Sequence, residues 1–274
     1  MARKGNLLYN GDFETGTTEG WINGIFGLNG EMEFSASEEA KYEGNYGGML
    51  RATGSNQQSY VGYNKVCSFE EYEGYLYLIK CKIISGNLMY PVLFGLDDKG
   101  SLIKTIRLGR LLYPHYWEKH QVILRGDGEI THFKVGVFAE GASAGDKFYF
   151  DEAKLIPLKS IKGHQLSEYF YVNNLTTDFV WLSPLACIGT AKLRSAVRTD
   201  KVSGTSPTLD VTIMAVKMEN DLCYYELKHT QFTGKDFEEL TIDVRNIGYL
   251  WVTYDLGGTD PQFDIYHFLS LEPY

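Results

Sequence analysis

Histidine, cysteine and paired carboxylates are the side chains of this chain best able to do chemistry, and their spacing offers little to build on. The six histidines (His115, His120, His132, His164, His229 and His267) form no H-x-H pair and no i, i+4 pair. They read as surface or strand residues rather than as metal ligands. The four cysteines (Cys67, Cys81, Cys187 and Cys223) form no C-x-x-C. They read as reduced and mostly buried, with a Cys67–Cys81 disulfide as the open alternative. The sequence contains no G-x-S-x-G elbow, no H-E-x-x-H, no P-loop and no G-x-G-x-x-G, each of which would mark a known chemistry. A glycosidase needs two carboxylates roughly 5 to 9.5 Å apart across a sugar. Among 35 acidic residues none stands out: Asp97-Asp98 sits in a turn with Lys99-Gly100, and Glu70-Glu71 reads as solvated. The expectation is a chain that is not an enzyme.

The elements that would position any site are strands. Period-2 alternation dominates. Tyr75 to Ile84 puts Ile79, Cys81 and Ile83 on one face and Lys80 and Lys82 on the other. Phe133, Val135 and Val137 share a face, as do Leu209, Val211, Ile213 and Ala215. Residues 240–244 and 249–254 alternate in the same way, with NG, DG and GG turns between such runs. Only Ser68 to Tyr75 hints at a turn of helix. The 29 Gly and 14% aromatic residues fit this pattern, and an all-β chain of two sandwiches is expected. The boundary is placed by a polar interruption: a first domain over 1–158, a linker or arm over 159–174 and a second sandwich over 175–274. The second half holds an internal echo, GTSPTLDV at 204–211 and GTDPQFDI at 258–265, read as two similar turn-to-strand entries. The aromatic run Glu168 to Val172 is expected either to pack within the chain or to dock on a second copy.

Four landmarks in the first half resemble jelly-roll carbohydrate-binding modules of the galactose-binding-like fold. They are NLLYNGDFETG…GW (6–21), YEGNYGGMLRA (42–52), YWEKHQVIL (116–124) and KFYFDEAKLIPL (147–158), in the family's order. The resemblance implies core roles for Trp21 and Trp117. It implies a structural Ca²⁺ held by Asp12 or Glu14, by carbonyls near Glu43 and Asn45, and by Asp151, a set of hard oxygen donors suited to that ion. Asp151-Glu152 stands where the family has Asp-Asp. Stacking on sugar needs exposed aromatic rings, and Tyr60, Tyr63, Tyr90 and Tyr113 are the candidate carbohydrate platforms. Over 189–213 and 232–269 the second half resembles a β-sandwich module of tailed-phage structural proteins.

The net charge of −9 and the lack of clustered Lys and Arg argue against nucleic acid. No apolar run reaches the ~20 residues that cross a bilayer, and no apolar segment follows the basic MARK start as in a signal peptide. Together with the resemblances, this gives the expectation of a non-enzymatic virion-associated protein, a capsid decoration or a tail or adhesin component, made in a host cytoplasm. Homo-oligomers, other virion proteins and cell-surface polysaccharide are the expected partners. The alternative is a bacterial glycan-binding accessory module, extracellular, with its signal peptide removed. A phage-like or spore-like bacterial particle is a third setting.

Overall fold

The computed structural model describes residues 6–109, 111, 115–126, 128–160, 165–183, 185–217 and 223–274, without the side chains of 217, 223 and 224. The chain divides into two compact units, Met1–Ile161 and Lys162–Tyr274. Both are built of strands; helical structure among the described residues is confined to two 3₁₀ turns, at Ile25–Gly27 and Glu38–Ala40. The turn of helix expected over 68–75 is not formed: residues 69–73 are turn and bend.

In the first unit one sheet contains β1 (Trp21–Asn23), β4 (Gln57–Tyr63), β7 (Leu88–Leu96), β8 (Leu102–Arg107) and β10 (His132–Ala142). Its order is β1-β4-β10-β7-β8, and β5 (Cys67–Ser68) also pairs with β10. The facing sheet contains β2 (Glu33–Ser37), β3 (Gly47–Arg51), β6 (Gly74–Ile83), β9 (Glu118–Leu124) and β11 (Lys147–Leu158), in the order β2-β3-β11-β6-β9. The alternation read from the sequence decides which side chains lie between the sheets. Ile79, Cys81 and Ile83 are buried in β6 while Lys80 and Lys82 stay partly in water, and Phe133, Val135 and Val137 are buried in β10. The core closes on aromatics. Trp21 stacks on Phe13 at 5.5 Å and meets Tyr63 and Phe150 edge-on at 5.6 and 5.8 Å. Its indole N–H donates to the Asn10 carbonyl at 3.2 Å, so the polar end of a buried ring is satisfied.

In the second unit β12 (Leu166–Leu175), β13 (Phe179–Ser183) and β15 (Cys223–Lys228) flank two very long strands, β14 (Leu185–Lys217) and β16 (Asp236–Pro273). Partner numbers fall on β16 as they rise on β14: Leu193 lies opposite Leu271 and Leu240, Thr199 opposite Ile265 and Asp236, Leu209 opposite Leu256. The ladders therefore run antiparallel, and each long strand serves two sheets. One sheet has the order 166–175, 263–273, 190–199, 236–245. The other has the order 223–228, 208–217, 249–257, 179–183. Phe170 of the first sheet stacks on Trp181 of the second at 4.7 Å and on Tyr254 at 5.4 Å. Leu209, Val211, Ile213 and Ala215 line the interior at 0% exposure, as their spacing predicts. The segment expected as a linker over 159–174 is largely strand: residues 166–175 pair with 263–271.

Candidate functional site

The first unit carries two apolar layers, and only one of them lies between its sheets. On β10 the parity that turns Phe133, Val135 and Val137 inward must turn Lys134, Gly136, Phe138 and Glu140 outward. The register places Phe138 between Tyr60 of β4 and Tyr90 of β7, and one row further Gly136 between Gly62 and Val92, with Arg107 of β8 opposite Val92. Ile25, Tyr90, Val92, Phe94 and Phe138 form one buried cluster on this outer face. The glycine row makes half of it possible. A Cβ on Gly62 would strike Ile25 at 2.6 Å, and one on Gly136 would meet the Phe94 ring at 3.0 Å. The 3₁₀ turn at Ile25–Gly27 can therefore lie down on the sheet, where Phe26 meets Phe94 at 5.9 Å.

Beyond that turn the face is framed by polar groups. Tyr60, half-buried, stacks on Phe138 at 4.0 Å and 13°. The Arg107 guanidinium lies over Tyr90 at 4.7 Å and over Phe138 at 5.2 Å. It also pairs with Glu140 at 3.5 Å and hydrogen-bonds the Tyr60 side chain. The ion pair is part-exposed, with side chains 39% and 26% accessible. Phe138 is 1% exposed beneath this stack, so the shelf this face offers to solvent is the partly exposed Tyr60 ring beside a guanidinium and a carboxylate, one apolar ring with directional donors and acceptors.

Of the expected tyrosine platforms, Tyr60 is on this shelf with part of its ring in water. Tyr90 is on the same face but only 2% exposed, beneath Arg107. Tyr63 points the other way, into the core, where its hydroxyl accepts from the Tyr9 N–H at 2.8 Å; neither Tyr63 nor Tyr90 presents a free face. Tyr113 lies outside the described residues. Phe138, Arg107 and Glu140 were missed, although an outward Phe in β10 breaks that strand's polar parity and is visible in the sequence. Trp21 is in the core, while Trp117 is half-buried against Tyr42 at 5.5 Å.

The three segments expected around a cation do converge, but their carboxylates receive amides. Glu14 accepts from the backbone N–H groups of Asn45 and Tyr46 at 2.7 and 3.0 Å and from the Asn45 side chain at 3.0 Å. Asp151 accepts from the N–H groups of Tyr42, Glu43 and Glu152 at 2.8, 3.4 and 2.7 Å. Burial pushes the Asp151 carboxyl up to about 7, against the pull of those amides. Asp12 is half-buried in the same loop as Glu14. Among the described residues no group of three or more His, Cys, Asp or Glu gathers where a metal could sit. In this arrangement the two carboxylates clamp the 42–46 loop through its amides.

The second unit hides a constellation that spacing could not disclose. Glu238 Oε2 accepts from His229 Nδ1 at 2.9 Å, and His229 Nε2 meets Ser195 Oγ at 2.7 Å. Ser195 Oγ also meets His267 Nε2 at 2.7 Å, and His267 Nδ1 meets the Tyr254 hydroxyl at 2.6 Å. One proton assignment satisfies every link with both imidazoles neutral: Tyr254 donates to His267, His267 to Ser195, Ser195 to His229 and His229 to Glu238. The order carboxylate, imidazole, hydroxyl is that of a hydrolase triad. Yet Ser195 is 0% exposed and its oxygen is already shared by two rings, so it reaches no substrate. His120 and His267 are strand residues, one of the two places expected, and both are buried; His229, just after β15, is buried as well. Cys67, Cys81 and Cys187 are free thiols, and burial raises Cys67 to about 11, far from a reactive thiolate.

No family model matches the chain, and no curated protein matches it. Solved structures similar to it include carbohydrate-binding modules and an α-L-arabinofuranosidase. The tandem CBM22-1-CBM22-2 domain of Paenibacillus barcinonensis Xyn10C is 12% identical, with 100% of each chain covered and a TM-score of 0.42. A xylan-binding CBM22 domain is 18% identical over 57% of this chain and 97% of its own, with a TM-score of 0.44. TmCBM61, solved with β-1,4-galactotriose, is 16% identical over 56% and 98%, with a TM-score of 0.41.

Proposed function

We propose that the first unit is a non-catalytic glycan-binding module whose contact surface is the outer face of the β4-β10-β7-β8 sheet. The observation that carries this reading is the Tyr60–Phe138–Tyr90 row topped by the Arg107–Glu140 pair. A pyranose has an apolar C–H face, which stacks on a ring, and an edge of hydroxyls, which an arginine–carboxylate pair can bind as donor and acceptor together. Tyr60 supplies the partly exposed ring; Arg107 and Glu140 supply the polar edge. An extended neutral polysaccharide of the xylan or β-1,4-galactan type is the ligand class, in line with a similar xylan-binding domain and a similar module solved with β-1,4-galactotriose. Native electrophoresis through gels containing either polysaccharide tests this. The protein is expected to be retarded in at least one of them, and Tyr60→Ala with Arg107→Ala to be retarded clearly less. Equal retardation of variant and wild type would remove this face from the account.

As the setting we propose a virion or phage-like particle surface. The sequence resemblance of the second unit supports it. Immunogold labelling of particles with an antibody to this chain would decide between that setting and a secreted bacterial accessory module.

A further inference from the structure

The second unit presents an aromatic face of its own. Strand parity turns Phe170 inward onto Trp181, and so it turns Tyr169 and Tyr171 outward. They are 80% and 52% exposed. The register sets Tyr169 opposite Phe268 and Tyr171 opposite Tyr266. The rings of these pairs lie 4.8 and 4.4 Å apart. The next strand continues both rows with cations near the rings: Arg198 lies over Tyr266 at 4.4 Å and Arg194 lies 5.9 Å from Phe268.

Two features choose the ligand chemistry. First, each guanidinium already has a carboxylate: Arg194 pairs with Glu239 at 2.5 Å and Arg198 with Asp200 at 2.8 Å. The ionic pairs cancel locally on a chain of net charge −9, which suits neither phosphate nor nucleic acid. Second, these pairs are wet, with side chains 37% to 52% accessible. Docking a second protein surface there would strip water from two ion pairs at a cost. A sugar chain would lie over the rings and leave the ion pairs partly solvated, with their donors and acceptors at its hydroxyl edge.

We propose that the outer face of the 166–175/263–273/190–199/236–245 sheet is a second glycan-contact surface, specific for neutral polysaccharide and centred on Tyr169 and Tyr171. It is a separate surface from the shelf of Tyr60 and Arg107, and the full chain would carry both.

The test uses the full chain in native gels containing xylan, galactan, mannan or mixed-linkage β-glucan, beside gels with polygalacturonate or single-stranded DNA. The background is Tyr60→Ala with Arg107→Ala. This background variant is expected to keep part of its retardation in at least one neutral gel, and adding Tyr169→Ala with Tyr171→Ala is expected to abolish it. These exposed tyrosines leave the fold intact when truncated, which near-ultraviolet circular dichroism of the second unit's buried Trp181 would check. The inference is overturned if the background runs free in every neutral gel or if the added changes alter nothing. It is equally overturned if only polygalacturonate or DNA retards the chain. Light scattering supplies the remaining outcome: a mass above 31.1 kDa that falls on changing the two tyrosines would assign this face to a second copy instead. The first site fails separately, if the background variant is retarded as strongly as wild type.

Discussion

His120 shows how a single residue can sit against the grain of its fold. It is fully buried in β9, neither ring nitrogen has a partner among the described residues, and burial lowers it to about 4. A buried N–H without an acceptor costs about 1–3 kcal/mol, so His120→Leu is expected to stabilise the first unit by that order, read as a higher urea midpoint at unchanged slope. The Glu14 and Asp151 clamps yield a second prediction at this scale. Their oxygens already hold the amides of the 42–46 loop, so the melting temperature should be the same in chelator and in added Ca²⁺. A rise in Ca²⁺ would show an ion bound there. Of the shelf, Tyr60 was legible as an aromatic in a strand. Arg107 and Glu140 were not, because only the register of three strands brings them together.

The echo in the second half has its meaning at the scale of the element. Alternation in β14 and β16 was plain from the sequence, but not that each strand crosses from one sheet to the other. The GTSP and GTDP turns are where the two strands bend, and they bend together: Thr205 lies opposite Thr259 and Ser203 opposite Gln262. Gly204 has φ +116°, and a Cβ there would lie 2.6 Å from the Asp260 carbonyl oxygen. Gly258 has φ +96°, and its Cβ would strike the Ser206 carbonyl oxygen. Each glycine thus makes room for the other's turn. Gly204→Ala or Gly258→Ala combines left-handed strain with a backbone clash, and each is expected to destabilise the second unit by about 2–4 kcal/mol. A melt within about 0.5 kcal/mol of wild type would contradict the paired-corner account. The same element scale explains the misplaced linker. Polar residues at 159–165 suggested an arm, but the tyrosines that follow are the outward residues of strand β12, whose inward Phe170 is core.

At the scale of the whole molecule the two units should answer acid differently. In the second, burial lowers His229 from 6.5 and takes His267 to about 3. Glu238 is also lowered: burial pulls it up, but hydrogen bonds from Thr230 and His229 outweigh that. The unfolded chain therefore binds more protons here, so stability is full above about pH 6.5 and falls as pH drops toward the folded values. Glu168, raised by burial, opposes this as one group against three. In the first unit His120 loses stability as pH falls from 6.5 to about 4. Asp151, raised by burial to about 7 from 3.8, regains it over nearly the same range, and Glu14 and Glu39, held below 4.5 by hydrogen bonds but mostly in water, add a small loss only toward the acid end. The expected outcome is two transitions in urea, with the second unit's midpoint dropping between pH 7 and 4 and the first's nearly level. Parallel shifts would contradict it. The account's central claim, that a β-sandwich face binds glycan, is tested most directly by hydrogen exchange of the full chain with and without xylohexaose or β-1,4-galactotriose. Added protection is predicted in peptides covering 57–63, 102–107 and 132–142. Protection confined to the facing sheet, at 74–83 and 118–124, or absent throughout with both sugars, would contradict it.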